Sequence, residues 1–294
     1  VFFYLLLTRQ LERLFHMHVV RGVLLAALVG MPWYIYMYTV HGMPFIHDFI
    51  GFHNISRFAH PLHPVRDHWY FYIPVVLLGF FPWTGLLIQS VKNAYRRSFG
   101  EEAELLTFFQ VWWIFVLIFF SFAQTKQVSY MLILVPPLAT IIGWNLAQML
   151  DDWRQTHFAW AGGSAVLFFV SGIGWLLAGD SLPQLAEGGL WLGTLTLLLG
   201  AAIIYHITAS HRLLLAAWLH VATAVVTMVI GFGIMMPAVE GIFSVKQVAR
   251  DYAAQYHAAA EEEGRVLYID KQLRPGVMLY TDIPGLEADV NQPE

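Results

Sequence analysis

The sequence predicts an all-α polytopic membrane protein, with about seven full transmembrane helices after the remnant of another, and a small α/β extracytoplasmic tail. Three observations predict it. Only 12% of the 294 residues are charged and 58% are hydrophobic, half the charge of an ordinary soluble domain, and the mean hydropathy is +0.58. Apolar runs near the roughly 20 residues that a spanning helix needs recur along the chain. The 11 Trp, 13 Tyr and 22 Phe supply aromatic side chains that favour the membrane–water boundary.

Residues 1–7 are apolar and lack the basic start of a signal peptide. They run into Thr8-Arg9-Gln10-Leu11-Glu12-Arg13 and read as the tail of a span that begins upstream, so the chain is expected to be part of a longer protein. Full spans are expected over 19–40, 69–89, 105–122, 130–149, 158–178, 189–206 and 213–238. Pro32, Pro74, Pro82, Pro136, Pro137 and Pro237 fall inside them. Kinks are expected there, since neighbouring groups in a bundle re-satisfy the freed carbonyls.

Lys and Arg set the orientation. One set of loops carries Arg9, Arg13, Arg21, Lys92, Arg96, Arg97, Arg154 and Arg212, and the other carries Arg57, Arg66 and Lys126. Loops 8–18, 90–104, 150–157 and 207–212 are therefore expected in the cytoplasm. The 41–68 loop, the 123–129 turn and the tail from about 240 are expected outside. In the tail, Ser244 with Gln247 resembles a capping box, opening a helix that ends at Gly264. Residues 265–270 and 277–282 read as two strands around a Pro275-Gly276 turn.

Several function classes drop out. A net charge of −4 gives a nucleic-acid partner no electrostatic support. The absence of cysteine removes disulfides, thiol catalysis and Cys-ligated metals. The spans hold almost no ionisable groups, His220 being the clear exception, whereas an ion-coupled transporter places such groups near the midplane.

The polar chemistry therefore concentrates at the outer face. The 41–68 loop holds six of the 13 His, namely His41, His47, His53, His60, His63 and His68, with Arg57, Arg66, Asp48 and Asp67. Phe45, Phe49, Phe52 and Phe58 interleave with them, as in a segment lying on a bilayer surface. The arginines offer a bidentate grip on phosphate; the alternative is nonspecific contact with headgroups. His60 and His63 with Asp67 form a candidate divalent-metal set, although Pro61 and Pro64 interrupt any helix that would align the rings. The second polar spot is Gln124-Thr125-Lys126-Gln127-Val128-Ser129-Tyr130. Its lone Lys is either a phosphate contact or an anchor that snorkels to the headgroups.

These loops carry a resemblance. Gly30-Met31-Pro32-Trp33-Tyr34, then Phe52-His53-Asn54-Ile55-Ser56-Arg57-Phe58, then Trp69-Tyr70-Phe71-Tyr72-Ile73-Pro74 through Pro82-Trp83-Thr84 resemble the integral-membrane GT-C glycosyltransferases. The order matches that family's "small-Pro-Trp", "H-x-x-R-F" and "W-Y-Y-x-P" to "P-W" segments. Within the family the chain is similar to the group of the lipid A aminoarabinose transferase and the protein O-mannosyltransferase-like enzymes. The hairpin from Phe120-Ser121 through Lys126 and Tyr130 to Pro136-Pro137-Leu138-Ala139 is similar to the same group, without its Pro after the Lys. The resemblance covers residues 20–145; over 150–238 only the span pattern matches.

What the resemblance implies is a transferase moving sugar, with inversion, from a polyprenyl-phosphate donor to a lipid, glycan or protein acceptor at the outer face of a bacterial cytoplasmic membrane, as in lipopolysaccharide modification. On that scheme Arg57 and Lys126 bind phosphate and His53 orients it, with Arg66 and Tyr130 in second rank. The leaving phosphate is stabilised by cations, and a metal at His60 and His63 is not required. The family's catalytic base lies upstream of residue 1, so the chain alone is expected to be inactive. Residues 1–239 would be the C-terminal portion of the GT-C-like transmembrane domain, and 240–294 an extracytoplasmic tail. The alternative is a non-catalytic or transport protein that binds lipid-linked sugar phosphates.

Overall fold

The computed structural model describes residues 1–56, 68–97, 104–151, 158–261, 268–270, 273–281, 283 and 286–288. In chain order the helices are α1 (Phe2–Leu7), α2 (Arg13–His16), α3 (Val19–His41), α4 (Met43–Ile46), a π-helical segment His47–Ser56, α5 (Tyr72–Gly79), α6 (Thr84–Arg97) and α7 (Glu104–Phe122). A 3-10 segment Val128–Leu134 leads into α8 (Val135–Asp151), followed by α9 (Phe158–Leu176), α10 (Ala178–Ser181), α11 (Ala186–Thr208), α12 (Leu213–Ile230), α13 (Met236–Phe243) and α14 (Lys246–Glu261). Strand β1 (Tyr268–Asp270), α15 (Arg274–Thr281) and β2 (Leu286–Ala288) close the described chain. Among the described residues, six helices are long and apolar enough to cross a membrane, and a bent pair, α5 with α6, makes up to seven.

The predicted spans coincide with these helices except at 69–89. There the expected kink at Pro82 is a break: α5 and α6 meet at 110° across residues 80–83. Proline lacks an N–H and clashes with the preceding turn, and the loosened carbonyls find other donors. Phe80 N–H bonds the Val76 carbonyl and Phe81 N–H the Leu78 carbonyl, while the Thr84 hydroxyl donates to Leu77 O.

Contacts at the two ends of the pair decide how far it reaches. Tyr72, at the start of α5, bonds Gln127 beyond the C-terminal end of α7. Near the end of α6, Val91 O accepts from Gln110 Nε2 and Ala94 packs with Leu106, in the first turns of α7. The 19 residues of α7 cover about 28 Å at 1.5 Å per residue. The bent pair therefore runs from one end of a spanning helix to the other.

Two compact units are distinguished, Val1–Phe169 with Leu199–Val221, and Val170–Leu198 with Ala222–Glu294. In the first, Tyr72, Leu86, Leu134, Trp160, Phe168 and Ile203 are buried in one cluster. Small residues permit its tightest crossing: a Cβ on Gly85 would stand 2.5 Å from Ser164 N, and one on Gly163 2.9 Å from Gly85 Cα. Close backbone approach of this kind drives helix association where lipid removes the hydrophobic term. Pro136 and Pro137 sit in the first turn of α8, where a missing N–H costs nothing. By contrast, none of the 23 residues of α3 is buried.

In the second unit Leu192, Ile230 and Met235 form a core. A Cβ on Gly193 would stand 2.7 Å from Gly172 O, another small-residue crossing. The tail packs Ala249, Ile269 and Val277 together. Ser244 Oγ accepts the Lys246 N–H at 3.2 Å, as a capping side chain should. The expected strand over 277–282 is instead helix α15, and β2 lies further on, paired parallel to β1 with Tyr268 opposite Leu286. Pro275 falls in the first turn of α15, where proline suits a helix. Parallel pairing then follows, because a helical crossover returns the chain in the same direction.

Candidate lipid-phosphate site

The turn from Ala123 to Gln127 joins α7 to the 3-10 segment, and it carries the cation singled out in the sequence. The last carbonyls of a helix have no intrahelical donor. Lys126 meets them: its Nζ donates to Ser121 O at 3.0 Å and to Ala123 O at 2.6 Å. Its side chain is only 3% exposed, so it does not snorkel. A cation at this place also complements the negative end of the helix dipole. Thr125 beside it is buried as well. The turn between the two apolar helices is thus closed by a buried cation.

Tyr72 reaches this turn from α5. It is fully buried, and its hydroxyl oxygen accepts the Gln127 N–H at 3.2 Å. Phe120 lies between the two tyrosines of the site, 6.4 Å from the Tyr72 ring and stacked at 4.7 Å on Tyr130. Lys126, Tyr130 and Tyr72 are therefore gathered by one turn and one aromatic side chain. Tyr72 was not among the predicted site residues. Its motif, Trp69-Tyr70-Phe71-Tyr72, offers four aromatic residues, and nothing in it marks which one turns inward.

The first part of the 41–68 loop is helical. Phe45 and Phe49 stack at 5.6 Å, Phe45 meets Trp33 at 5.9 Å and Phe49 meets Tyr34 at 5.5 Å. This aromatic cluster folds the segment back on the end of α3. His53 lies on the π-helical segment His47–Ser56. Arg57, His60, His63, Arg66 and Asp67 lie outside the described residues. Among the described residues no group of three His, Asp or Glu could hold a metal ion.

No family model matches the chain. It is 33% identical over 163 residues to the undecaprenyl phosphate-α-4-amino-4-deoxy-L-arabinose arabinosyl transferase 1 of Sodalis glossinidius, covering 55% of this chain and 28% of that protein. It is 32% identical over 123 residues to transferase 2 of the same description from Proteus mirabilis, covering 42% of this chain and 22% of that protein. An uncharacterized protein of Aquifex aeolicus is 30% identical over 150 residues, 51% of this chain and 33% of its own length. The chain thus spans between a fifth and a third of these relatives. Among solved structures, that of ArnT from Cupriavidus metallidurans bound to undecaprenyl phosphate superposes with a TM-score of 0.66 at 19% identity, over 98% of this chain and 52% of that one. The described helices and these likenesses together show a polytopic membrane fold like that of the ArnT structure, in a chain similar in sequence over part of its length to aminoarabinose transferases.

Proposed function

We propose that the chain forms part of a membrane glycosyltransferase that moves sugar from a polyprenyl-phosphate donor to a lipid, glycan or protein acceptor at the outer face of the cytoplasmic membrane. One observation carries this reading most: a buried lysine plugs the hairpin turn of a chain whose fold is that of a transferase solved with undecaprenyl phosphate. Lysine is almost never fully buried, so one enclosed at a turn between two spans supports a substrate site there.

In the proposed site Lys126 faces the phosphate region from the hairpin and Arg57 from the 41–68 loop, with His53 orienting the phosphate and Arg66 and Tyr130 at its edge. As the glycosidic bond breaks, negative charge grows on the leaving phosphate, and fixed cations stabilise it more than they stabilise the bound donor. The acceptor hydroxyl gives its proton to a general base, which is not among the residues assigned here. On this reading the chain transfers no sugar by itself. Residues 1–239 serve as the C-terminal portion of the membrane domain and 240–294 as an extracytoplasmic tail, with loops 8–18, 90–104, 150–157 and 207–212 in the cytoplasm.

The test uses the whole natural protein in detergent, with undecaprenyl phosphate as the binding probe and sugar transfer as the second readout. Loss of a charge-assisted bond is worth about 1.5–3 kcal/mol, so Arg57→Ala and Lys126→Met should each weaken binding by roughly 10- to 100-fold. Unaltered affinity in both variants would sink the assignment. Normal binding without any sugar transfer would favour a non-catalytic carrier of lipid-linked sugars.

A further inference from the structure

A second polar feature lies at the other end of the first unit, far from the hairpin turn. Between the end of α8 and the start of α12 is a groove of about 580 Å³ lined by Met149, Leu150, His211, Arg212, Leu213, Leu214, Leu215 and Trp218. Its size is that of a ligand cleft. Its walls are mainly apolar, and both polar side chains that line it are basic. Among the described residues no carboxylate lines it; Asp151, which follows Leu150, is exposed and is not one of the lining residues.

The turn before α12 is built to present these groups. Ala209 and Ser210 both give their N–H to Tyr205 O, and Arg212 N–H bonds His206 O at 2.9 Å. His206 Nδ1 pairs with Ser210 Oγ at 2.6 Å, so neither competes for the groove. His211 takes a left-handed backbone, φ 52, which reverses the chain just before Arg212. Arg212 and His211 are exposed, and Trp218 is 63% exposed. An exposed indole beside apolar side chains belongs at the membrane–water boundary.

We infer that this groove binds an anionic glycerophospholipid of the cytoplasmic leaflet. The acyl chain lies along Leu150, Leu214 and Trp218, and the phosphodiester sits against Arg212 with His211 beside it. Charge decides the occupant. A zwitterionic lipid gains the same apolar contact but no net attraction to the basic rim, whereas each basic group near an anionic headgroup favours it by about fivefold at the bilayer surface. The inference does not depend on the proposed sugar chemistry, because lipid retention is measured without turnover.

The experiment is native mass spectrometry of the whole natural protein released from micelles holding equal amounts of phosphatidylglycerol and phosphatidylcholine with identical chains. Phosphatidylglycerol should be retained about fivefold over phosphatidylcholine. Arg212→Ala should bring the ratio to near one, and Trp218→Ala should lower retention of both lipids together. Lys92→Ala removes a cation from the exposed face of α6, outside the groove, and should leave the ratio unchanged. A wild-type ratio of one overturns the inference, as does a ratio that survives Arg212→Ala or a retention that survives Trp218→Ala. An equal fall in Lys92→Ala overturns it too, since selectivity would then belong to the basic face in general.

Discussion

Tyr72 and Gln127 stand 55 residues apart in the chain and meet in one hydrogen bond, 3.2 Å from the Gln127 N–H to the phenolic oxygen. The bond ties the broken span α5–α6 to the turn that carries Lys126. Gln127 has an extended backbone, φ −130 and ψ 136, so its N–H lies outside the helical ladders on either side. The tyrosine supplies the acceptor that secondary structure does not.

Replacing Tyr72 by Phe keeps the ring against Phe120 and removes only that acceptor. An unsatisfied buried donor costs about 1–3 kcal/mol, and the cost falls on a turn rather than on a core. Amide exchange at Gln127 should therefore quicken by roughly 10- to 100-fold while exchange in α7 stays as it was. Exchange unchanged at Gln127 would remove Tyr72 from the site. If exchange quickens and undecaprenyl-phosphate affinity holds, the bond is structural only.

Lys126 is held by two carbonyls at the end of α7, so two substitutions separate its charge from its bonding. Lys126→Met retains the stem and loses both, leaving Ser121 O and Ala123 O without their donor at a cost of about 1–3 kcal/mol. Lys126→Arg keeps the charge in a wider, planar fork that cannot occupy the same buried space. Thermal unfolding in detergent should fall for both variants. Polyprenyl-phosphate binding should fall further for Met than for Arg, and equal binding in the two would remove charge from the explanation.

The crossing of α6 over α9 depends on a missing side chain. A Cβ at Gly85 would lie 2.5 Å from Ser164 N and 2.9 Å from Gly163 C, atoms of a backbone that has no rotamer to yield. Gly85→Ala should destabilise by about 1–3 kcal/mol, against the gain in helix propensity that alanine normally brings. Gly143 in α8 is the matched control, with nothing within 4 Å of its added Cβ. Gly143→Ala should leave the melting temperature level or slightly raised. If the two variants melt together, the close approach at Gly85 is absent in the membrane-embedded protein.

How much of this was legible in the sequence depends on the range of the interaction concerned. Spans such as Glu104–Phe122 and Ala186–Thr208 are legible because their determinant is the local run of apolar residues. The break at residues 80–83 is not. Pro82 announces a disturbance, but whether a helix bends or turns through 110° depends on which distant groups take the freed carbonyls. In the tail, Pro275-Gly276 reads equally as a hairpin turn or as the first turn of a helix. The packing of Val277 on Ala249 and Ile269 selects the helix. The burial of Tyr72 against the Lys126 turn was not legible, because its partner lies 55 residues away, whereas Lys126 stands out locally as the cation of a short turn between two apolar spans.

His220 is the ionisable group that the sequence places inside a span, and the structure encloses it. Its ring is fully buried, stacked at 4.8 Å on Trp83 and edge-on to Phe168 at 5.8 Å. Nδ1 lies 2.8 Å from Ala216 O, and Nε2 accepts the indole N–H of Trp160 at 3.4 Å. A neutral imidazole with its proton on Nδ1 satisfies both contacts at once. His220 therefore serves as a polar joint between α12, α9 and the residue that follows Pro82. His220→Leu fills much the same space but leaves the Trp160 indole without an acceptor, at a cost of about 1–3 kcal/mol. Gln, whose amide can both donate and accept, should restore part of the loss. The readouts are thermal unfolding and the near-ultraviolet circular dichroism that reports on Trp83 and Trp160. A Leu variant with the native spectrum and melting temperature would reduce His220 to a space-filling residue. Recovery by Gln would show that its hydrogen bonds hold the elbow in place.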